Sequence, residues 1–140
     1  MYEIGFPQKV YSGLDSVEKL SEILKEKKIQ KVLVMTDQGV YPQKAFQKVL
    51  SLLEAYDPMC IHNIPPEPSV YDIAKVYEEA RRAEIEAIVA VGGGSVMDMT
   101  KMVAACLTNP EYVEDVQDTG RIQNPPAKTF MIPTTAGTGA

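Results

Sequence analysis

Short apolar runs alternate with segments of helical periodicity along this chain of 140 residues. The apolar runs are Val32–Met35, Met59–Ile61, 87–91 and 129–132, and a helical pattern follows each of the first three. Alternating strands and helices are typical of parallel sheets, and runs without polar residues indicate strands buried on both faces. The alternation therefore predicts an α/β fold, with a parallel sheet that carries helices on both of its faces.

Polar residues mark where several helices are expected to begin and end. Asp15, with Glu18 three residues later, is the predicted N-cap of the first helix. Ser69 and Asp72 have the same spacing and are predicted to cap a later helix. The dipeptide 109–110, Asn-Pro, is expected to end the helix that follows the 87–91 strand, because proline cannot continue a helix.

The composition argues against several classes of function. Fourteen Lys and Arg against nineteen Asp and Glu give a net charge of -5, which disfavours nucleic-acid and anionic-membrane surfaces. No apolar run reaches the ~18 residues of a membrane span, and the first residues do not resemble a signal peptide. The two cysteines show no metal-binding spacing, so we expect a cytoplasmic protein. One histidine, His62, cannot form a histidine-rich metal site, so we expect no metal ligands in this chain.

A run of three glycines, residues 92–94, connects the strand 87–91 to a helix. The free N–H groups and the positive dipole at a helix N-terminus suit a phosphate, and glycine lets the backbone approach it closely. The run is not a GxGxxG fingerprint, because Met97 stands where the last glycine would be. A plain structural interpretation is also open: Ser95 and Asp98 have capping-box spacing, and Asp98 could pair with Lys101.

Two further loops follow predicted strands. Thr134, Thr135 and Thr138 lie in a Thr/Gly-rich loop, which could also be an ordinary turn. Asp37 lies in the loop after another strand, where it could accept hydrogen bonds from ribose hydroxyls and repel a 2′-phosphate, or could be a solvated turn residue. In open α/β sheets, ligands bind at the carboxyl ends of the strands, where all three loops fall. Together they predict a Rossmann-like dinucleotide-binding sheet that prefers NAD to NADP.

The segments GGGSVMDMTK and IPTTAGTGA resemble the iron-containing (group III) alcohol dehydrogenase family, whose patterns run GGGSxxDxxK and PTTAGTGSE. The YSG, TDQG, PPEPS and NPEY segments extend the resemblance over the whole chain. It implies the N-terminal, NAD(P)-binding half of an oxidoreductase that transfers hydride between an alcohol or aldehyde substrate and the cofactor. It also implies a helical C-terminal half that holds iron or another divalent metal, and a homo-oligomeric parent enzyme.

The resemblance assigns roles residue by residue. Gly93, Gly94 and Ser95 would contact the diphosphate, and Asp98 would lie near the nicotinamide. Glu67 stands where relatives often carry Asn near the adenine. The full set of implied cofactor-binding residues is Asp37, Gly93, Gly94, Ser95, Asp98, Thr134, Thr135 and Thr138.

The family's metal ligands and catalytic centre are expected outside this chain. The chain reaches Ala140 where the family continues Ser-Glu, so we expect residues 1–140 to be one dinucleotide-binding domain truncated within its glycine-rich loop. Two alternatives stay open on the sequence alone. One is a relative similar to glycerol dehydrogenase or dehydroquinate synthase, and the other is a non-catalytic nucleotide-binding module.

Overall fold

A parallel sheet forms the centre of the computed structural model, which describes residues 9 and 11–134. The strands are β1 (Val32–Met35), β2 (Met59–Ile61), β3 (Ala87–Gly92) and β4 (Lys128–Pro133). Their order across the sheet is β2-β1-β3-β4, and every pair is parallel. The α-helices are α1 (Lys19–Glu26), α2 (Lys44–Leu52), α3 (Val70–Arg82) and α4 (Gly94–Thr108). Short 3-10 turns occupy Ser16–Glu18, Glu54–Tyr56, Pro110–Glu114 and Thr119–Arg121.

Helices cover both faces of this sheet, which confirms the predicted Rossmann-like α/β fold. Leu33 and Met35 of β1 belong to a core with residues of α3 and α4. Val32 and Val34, which alternate with them, belong to a second core with residues of α1 and α2. Because successive strand residues point to opposite faces, a strand between two helical layers must be apolar throughout. All residues of β1 and β3 are buried.

The carboxyl ends of β1, β2 and β3 are joined through Thr36, the residue that follows β1. Its buried hydroxyl donates to the carbonyl of Val91 at 2.7 Å, across to β3. Its backbone N–H donates to the carbonyl of Ile61 at 2.9 Å, across to β2. These two bonds satisfy a buried polar residue and fix the edge of the sheet from which the loops emerge.

The helix starts agree with the predicted caps in one case and differ in another. Ser69 caps α3 in a full capping box: its Oγ accepts the Asp72 N–H at 3.2 Å, and Asp72 Oδ2 accepts the Ser69 N–H at 2.8 Å. Asp15 lies at the predicted N-cap position, before the turn that leads into α1, but its side chain makes no capping bond. This residue adopts a left-handed conformation with φ 58°, and its carboxylate pairs with Lys48 on α2 at 3.0 Å instead of bonding to a helix N–H.

Asn109 ends α4, as predicted, and also organises the segment between α4 and β4. The buried side chain donates through Nδ2 to the carbonyls of Ala105 at 2.9 Å and Asn124 at 3.0 Å. Its Oδ1 accepts the N–H groups of Gln123 and Asn124, both at 2.8 Å. One amide therefore holds the returning segment against the end of the helix.

Within the described residues, no helix has the length and apolar character needed to cross a membrane.

Candidate functional site

The strand order creates a crevice at the carboxyl ends of β1 and β3. From β1 the chain crosses to β2 on one side, and from β3 it crosses to β4 on the other side, so the connections diverge between these two neighbours. In open α/β sheets, this topological switch point is where ligands bind. Asp37 follows β1 by two residues and Gly93 follows β3 directly, so the topology places them on the two walls of this crevice.

A cleft of about 650 Å³ occupies the crevice. It brings together four of the residues predicted from the sequence, namely Asp37, Gly93, Gly94 and Ser95. The loop after β2 supplies another wall. The remaining lining residues are Gln38, Gly39, Asn63, Ile64, Pro65, Pro66 and Val96.

The N-terminus of α4 forms one wall of this cleft. The helix begins at Gly94 with Gly93 as its N-cap, and among the described residues no side chain caps it. The first bond back to the N-cap runs from the Met97 N–H to the Gly93 carbonyl at 3.1 Å. The N–H groups of Gly94, Ser95 and Val96 precede that bond and so have no partner within the helix. Together with the helix dipole they offer donors to an anionic group such as a phosphate.

Gly92 has a role that the sequence analysis missed. A Cβ built on Gly92 would lie 2.9 Å from Cγ2 and 3.1 Å from Cβ of Val96, in the first turn of α4. The close contact between the end of β3 and the start of α4 therefore requires glycine at this position. The run of three glycines marks this position in the sequence. Glycine spacing alone, however, does not distinguish a glycine required by packing from a glycine required by a ligand.

Ser95 does not form the alternative capping box with Asp98. Because α4 already begins at Gly94, Ser95 lies inside the first turn, and its hydroxyl donates to the carbonyl of Pro66 in the loop after β2. The alternative ion pair between Asp98 and Lys101 is also wrong. Both side chains are exposed, and neither is among the ion-paired side chains of the described residues. Hydration competes well with such surface pairs.

The turn after β1 holds the Asp37 carboxylate in a defined position. Asp37 is half-buried, and its Oδ1 accepts the N–H of Val40 at 2.8 Å. Its main-chain carbonyl accepts the N–H of Tyr41 at 3.0 Å. Within the described part of the chain, no hydrogen bond engages the second oxygen, Oδ2. The carboxylate therefore keeps one acceptor for a ligand in the cleft.

A second cleft of about 700 Å³ adjoins the Ser95–Pro66 contact. Asp98 and Glu67 line this second cleft together with Lys101, and neither lines the first. Gly94, Ser95 and Pro66 line both clefts. A ligand long enough to reach from Asp37 to Asp98 would pass the N-terminus of α4 on its way.

The threonine loop is described only at its beginning. Thr134 is exposed after the end of β4, and its N–H donates to the Gly92 carbonyl at 3.0 Å, so it lies beside the glycine run. It is not among the residues that line either cleft. Thr135 and Thr138 lie outside the described residues.

A model of the family described as iron-containing alcohol dehydrogenase matches residues 7–140. The chain belongs to this family. The probable alcohol dehydrogenase EutG of Salmonella typhimurium is 37% identical over 76 residues, which are 54% of this chain and 19% of that protein.

Two solved structures of Thermotoga maritima proteins match nearly the whole chain. The NADH-dependent butanol dehydrogenase A is 26% identical with a TM-score of 0.82, and the match covers 99% of this chain and 36% of that one. An iron-containing alcohol dehydrogenase is 29% identical with a TM-score of 0.83, and the match covers 99% of this chain and 39% of that one. The chain thus spans well under half the length of these relatives and corresponds to the N-terminal part of the iron-containing alcohol dehydrogenase fold.

The name of the iron-containing alcohol dehydrogenase family implies a metal, and the described residues do not fit one. No group of three or more His, Cys, Asp or Glu side chains among them could hold an ion. The imidazole of His62 is exposed and stacks on the ring of Tyr41, with the centroids 4.2 Å apart. Both cysteines are free thiols, and burial raises the pKa of Cys60 and raises that of Cys106 to about 11.

Proposed function

We propose that this chain binds NAD in the crevice between β1 and β3, as the cofactor-binding part of an oxidoreductase that acts on an alcohol or aldehyde. The observation that carries the proposal is the meeting of two ligand-binding features in one cleft. On one wall is a carboxylate with a free oxygen, Asp37, and on the other are the uncapped N–H groups that begin α4. The NADH dependence named for the butanol dehydrogenase relative supports the choice of cofactor.

Each wall would bind a different part of the dinucleotide. The N–H groups of Gly94 and Ser95 would donate to the diphosphate, which glycine at 93 and 94 allows to approach the backbone. Oδ2 of Asp37 would accept a hydrogen bond from a hydroxyl of the adenosine ribose. The same charge would repel a 2′-phosphate, so NAD is favoured over NADP.

The other end of the cofactor would reach the second cleft, where Asp98 lies. Thr134 would lie beside the glycine run, where its N–H is bonded to the Gly92 carbonyl, and the family resemblance assigns Thr135 and Thr138 to the same cofactor site. The nicotinamide, when bound, supplies the hydride acceptor or donor. This chain's own residues would bind and orient the dinucleotide. We assign no step to a metal in this chain, because its described residues offer no ligand set.

Substitution of Gly94 tests this site in the full 140-residue chain. Titration with NADH, followed by the fluorescence of the cofactor, measures affinity, and the absence of tryptophan simplifies the signal. A methyl group at the first residue of α4 should hold the diphosphate away from the N–H groups. We therefore expect Gly94→Ala to weaken NADH binding at least tenfold, about 1.4 kcal/mol, with an unchanged circular dichroism spectrum.

Gly120→Ala is the matched control, because its added Cβ would meet only an exposed Asp118 carboxylate, at 3.1 Å, far along the chain from the cleft. This control should bind NADH like the unsubstituted chain. If Gly94→Ala instead lowers the melting temperature and leaves NADH affinity unchanged, the glycine serves only the turn, and the proposed cofactor site is wrong.

A further inference from the structure

Two aromatic rings stack between the turn after β1 and the residue that follows β2. The rings of Tyr41 and His62 stack with centroids 4.2 Å apart and an interplanar angle of 24°. The Tyr41 ring also contacts Phe46 of α2, at a centroid distance of 5.5 Å. Phe46 is fully buried, Tyr41 is 36% exposed and His62 is exposed. The three rings therefore form a column that runs from the core to the surface.

Tyr41 is directly connected to the turn that carries Asp37. Its N–H donates to the Asp37 carbonyl at 3.0 Å, and the N–H of the preceding residue, Val40, donates to Oδ1 of Asp37 at 2.8 Å. The carbonyl of Tyr41 accepts a bond from the side chain of Gln47 on α2 at 2.9 Å. The backbone of Tyr41 therefore belongs to the same turn that positions the Asp37 carboxylate.

His62 is connected to the wall of the cleft that the loop after β2 forms. It immediately precedes Asn63 and Ile64, which line the cleft. β2 itself has only three residues, and the loop after it is also held by the Ser95–Pro66 bond and by burial of Ile64. Beyond the strand, the Ile64 N–H reaches the Thr36 carbonyl at 3.4 Å, which is a long bond. Among the described residues, the ring stack is an aromatic contact that joins the turn after β1 to the loop after β2.

We propose that the Tyr41–His62 stack sets the width of the crevice beside Asp37 and thereby determines how strongly the chain prefers NAD to NADP. The inference rests on the proposed function, since it assigns positioning residues to the same cofactor site. Neither ring contacts the cofactor in this proposal. The rings hold the Asp37 turn against the loop after β2, which keeps the carboxylate against the ribose, where its charge repels a 2′-phosphate.

Removal of either ring should loosen the wall that carries Asp37. We expect His62→Ala and Tyr41→Ala to raise the dissociation constant for NADH about fivefold, the factor that corresponds to the loss of one aromatic stack. The dissociation constant for NADPH should rise less or fall, so the preference for NADH should decrease in both variants. His62→Phe keeps a ring at this position and should retain the preference. Tyr71→Ala removes a tyrosine that is 78% exposed on another helix and serves as the control.

The measurement is a parallel titration of the full chain with NADH and NADPH, together with the melting temperature of each variant. A stack that only supports the fold would change the melting temperature and leave the ratio of the two affinities constant, and that result would overturn this inference alone. If the unsubstituted chain binds neither dinucleotide, the proposed function is wrong as well, so the two failures are distinguishable.

Discussion

Asp37 has two carboxylate oxygens, and the turn in which it lies uses only one of them. Oδ1 accepts the Val40 N–H and so shapes the turn after β1. An asparagine can repeat that role with its own carbonyl oxygen, whereas a glycine cannot. The structure therefore separates two properties of this residue, the hydrogen bond that supports the turn and the negative charge toward the cleft.

Asp37→Asn should change cofactor preference while the fold remains intact. With the charge removed and the Oδ1 acceptor retained, the ratio of NADPH to NADH affinity should increase about tenfold, which is 1.4 kcal/mol. Titrations with both dinucleotides check this ratio, and the melting temperature checks the turn. Asp57→Asn, in an exposed turn before β2, is a control for the loss of one negative charge elsewhere. If the ratio of NADPH to NADH affinity changes equally in the two variants, net charge and not the position of Asp37 determines the cofactor preference.

At the scale of the element, the helix starts show what local sequence can and cannot predict. The capping box at Ser69 is local, with both partners within three residues, and the pattern predicted it correctly. At Asp15 the partner is Lys48 on another helix, and at Ser95 it is the Pro66 carbonyl, 29 residues earlier in the chain. Spacing carries no information about these distant partners, so both polar residues resembled caps. Gly92 and Val96 are close in sequence, but their contact can be recognised only in the folded arrangement of β3 and α4.

The confirmed cap offers a direct test of how much α3 contributes to stability. Ser69→Ala removes the oxygen that accepts the Asp72 N–H, and we expect a loss of about 1 kcal/mol in the free energy of unfolding. Urea titration measures this loss. Ser51→Ala is the matched control, because the Ser51 hydroxyl bonds back to the Gln47 carbonyl near the end of α2, where such a bond adds little. A similar loss in both variants would indicate a general effect of serine removal.

The pH dependence of the same variant gives an independent measurement. Hydrogen bonds from the backbone and side chain of Ser69 hold the pKa of Asp72 below its ordinary value. A depressed carboxyl pKa contributes stability above the ordinary pKa and loses it as the pH falls through the lowered one. The difference in stability between the unsubstituted chain and Ser69→Ala should therefore decrease as the solution becomes acidic. A constant difference down to acidic pH would show that the bond from the Ser69 hydroxyl to the Asp72 carboxylate adds nothing to the cap.

For the molecule as a whole, the sequence predicted the parallel sheet and its helices but not the order of the strands. Apolar runs identify strands, whereas the neighbours of each strand depend on the direction in which every crossover turns. The observed order places β1 beside β3 and opens the crevice between them. From the sequence, Asp37 and Gly93 were expected at the same sheet edge, and the order brings them to the same cleft. The Tyr41–His62 contact, to which we assign the width of that cleft, joins the turn after β1 to the residue after β2, and spacing does not predict it.

A ligand that bridges these walls should stabilise the whole domain. Binding to the folded state alone adds about 2.7 kcal/mol at a concentration one hundred times the dissociation constant. We therefore expect the melting temperature to rise with NADH concentration in a thermal scan, and to rise less at equal concentrations of NADPH. The Gly94→Ala variant should show a smaller increase with NADH. A melting temperature that is independent of NADH would contradict binding to the folded chain.

The bonds made by Thr36 have a consequence for how the sheet assembles. In most strands, slipping by one residue is penalised because it turns the apolar face toward water. β1 is apolar on both faces, so a slipped pairing would still bury hydrophobic side chains. What the slip would break is the bond from the Thr36 hydroxyl to Val91 and the bond from its N–H to Ile61, leaving buried polar groups without partners. We therefore expect the buried Thr36 hydroxyl to favour the native register of this strand more than its hydrophobic pattern does.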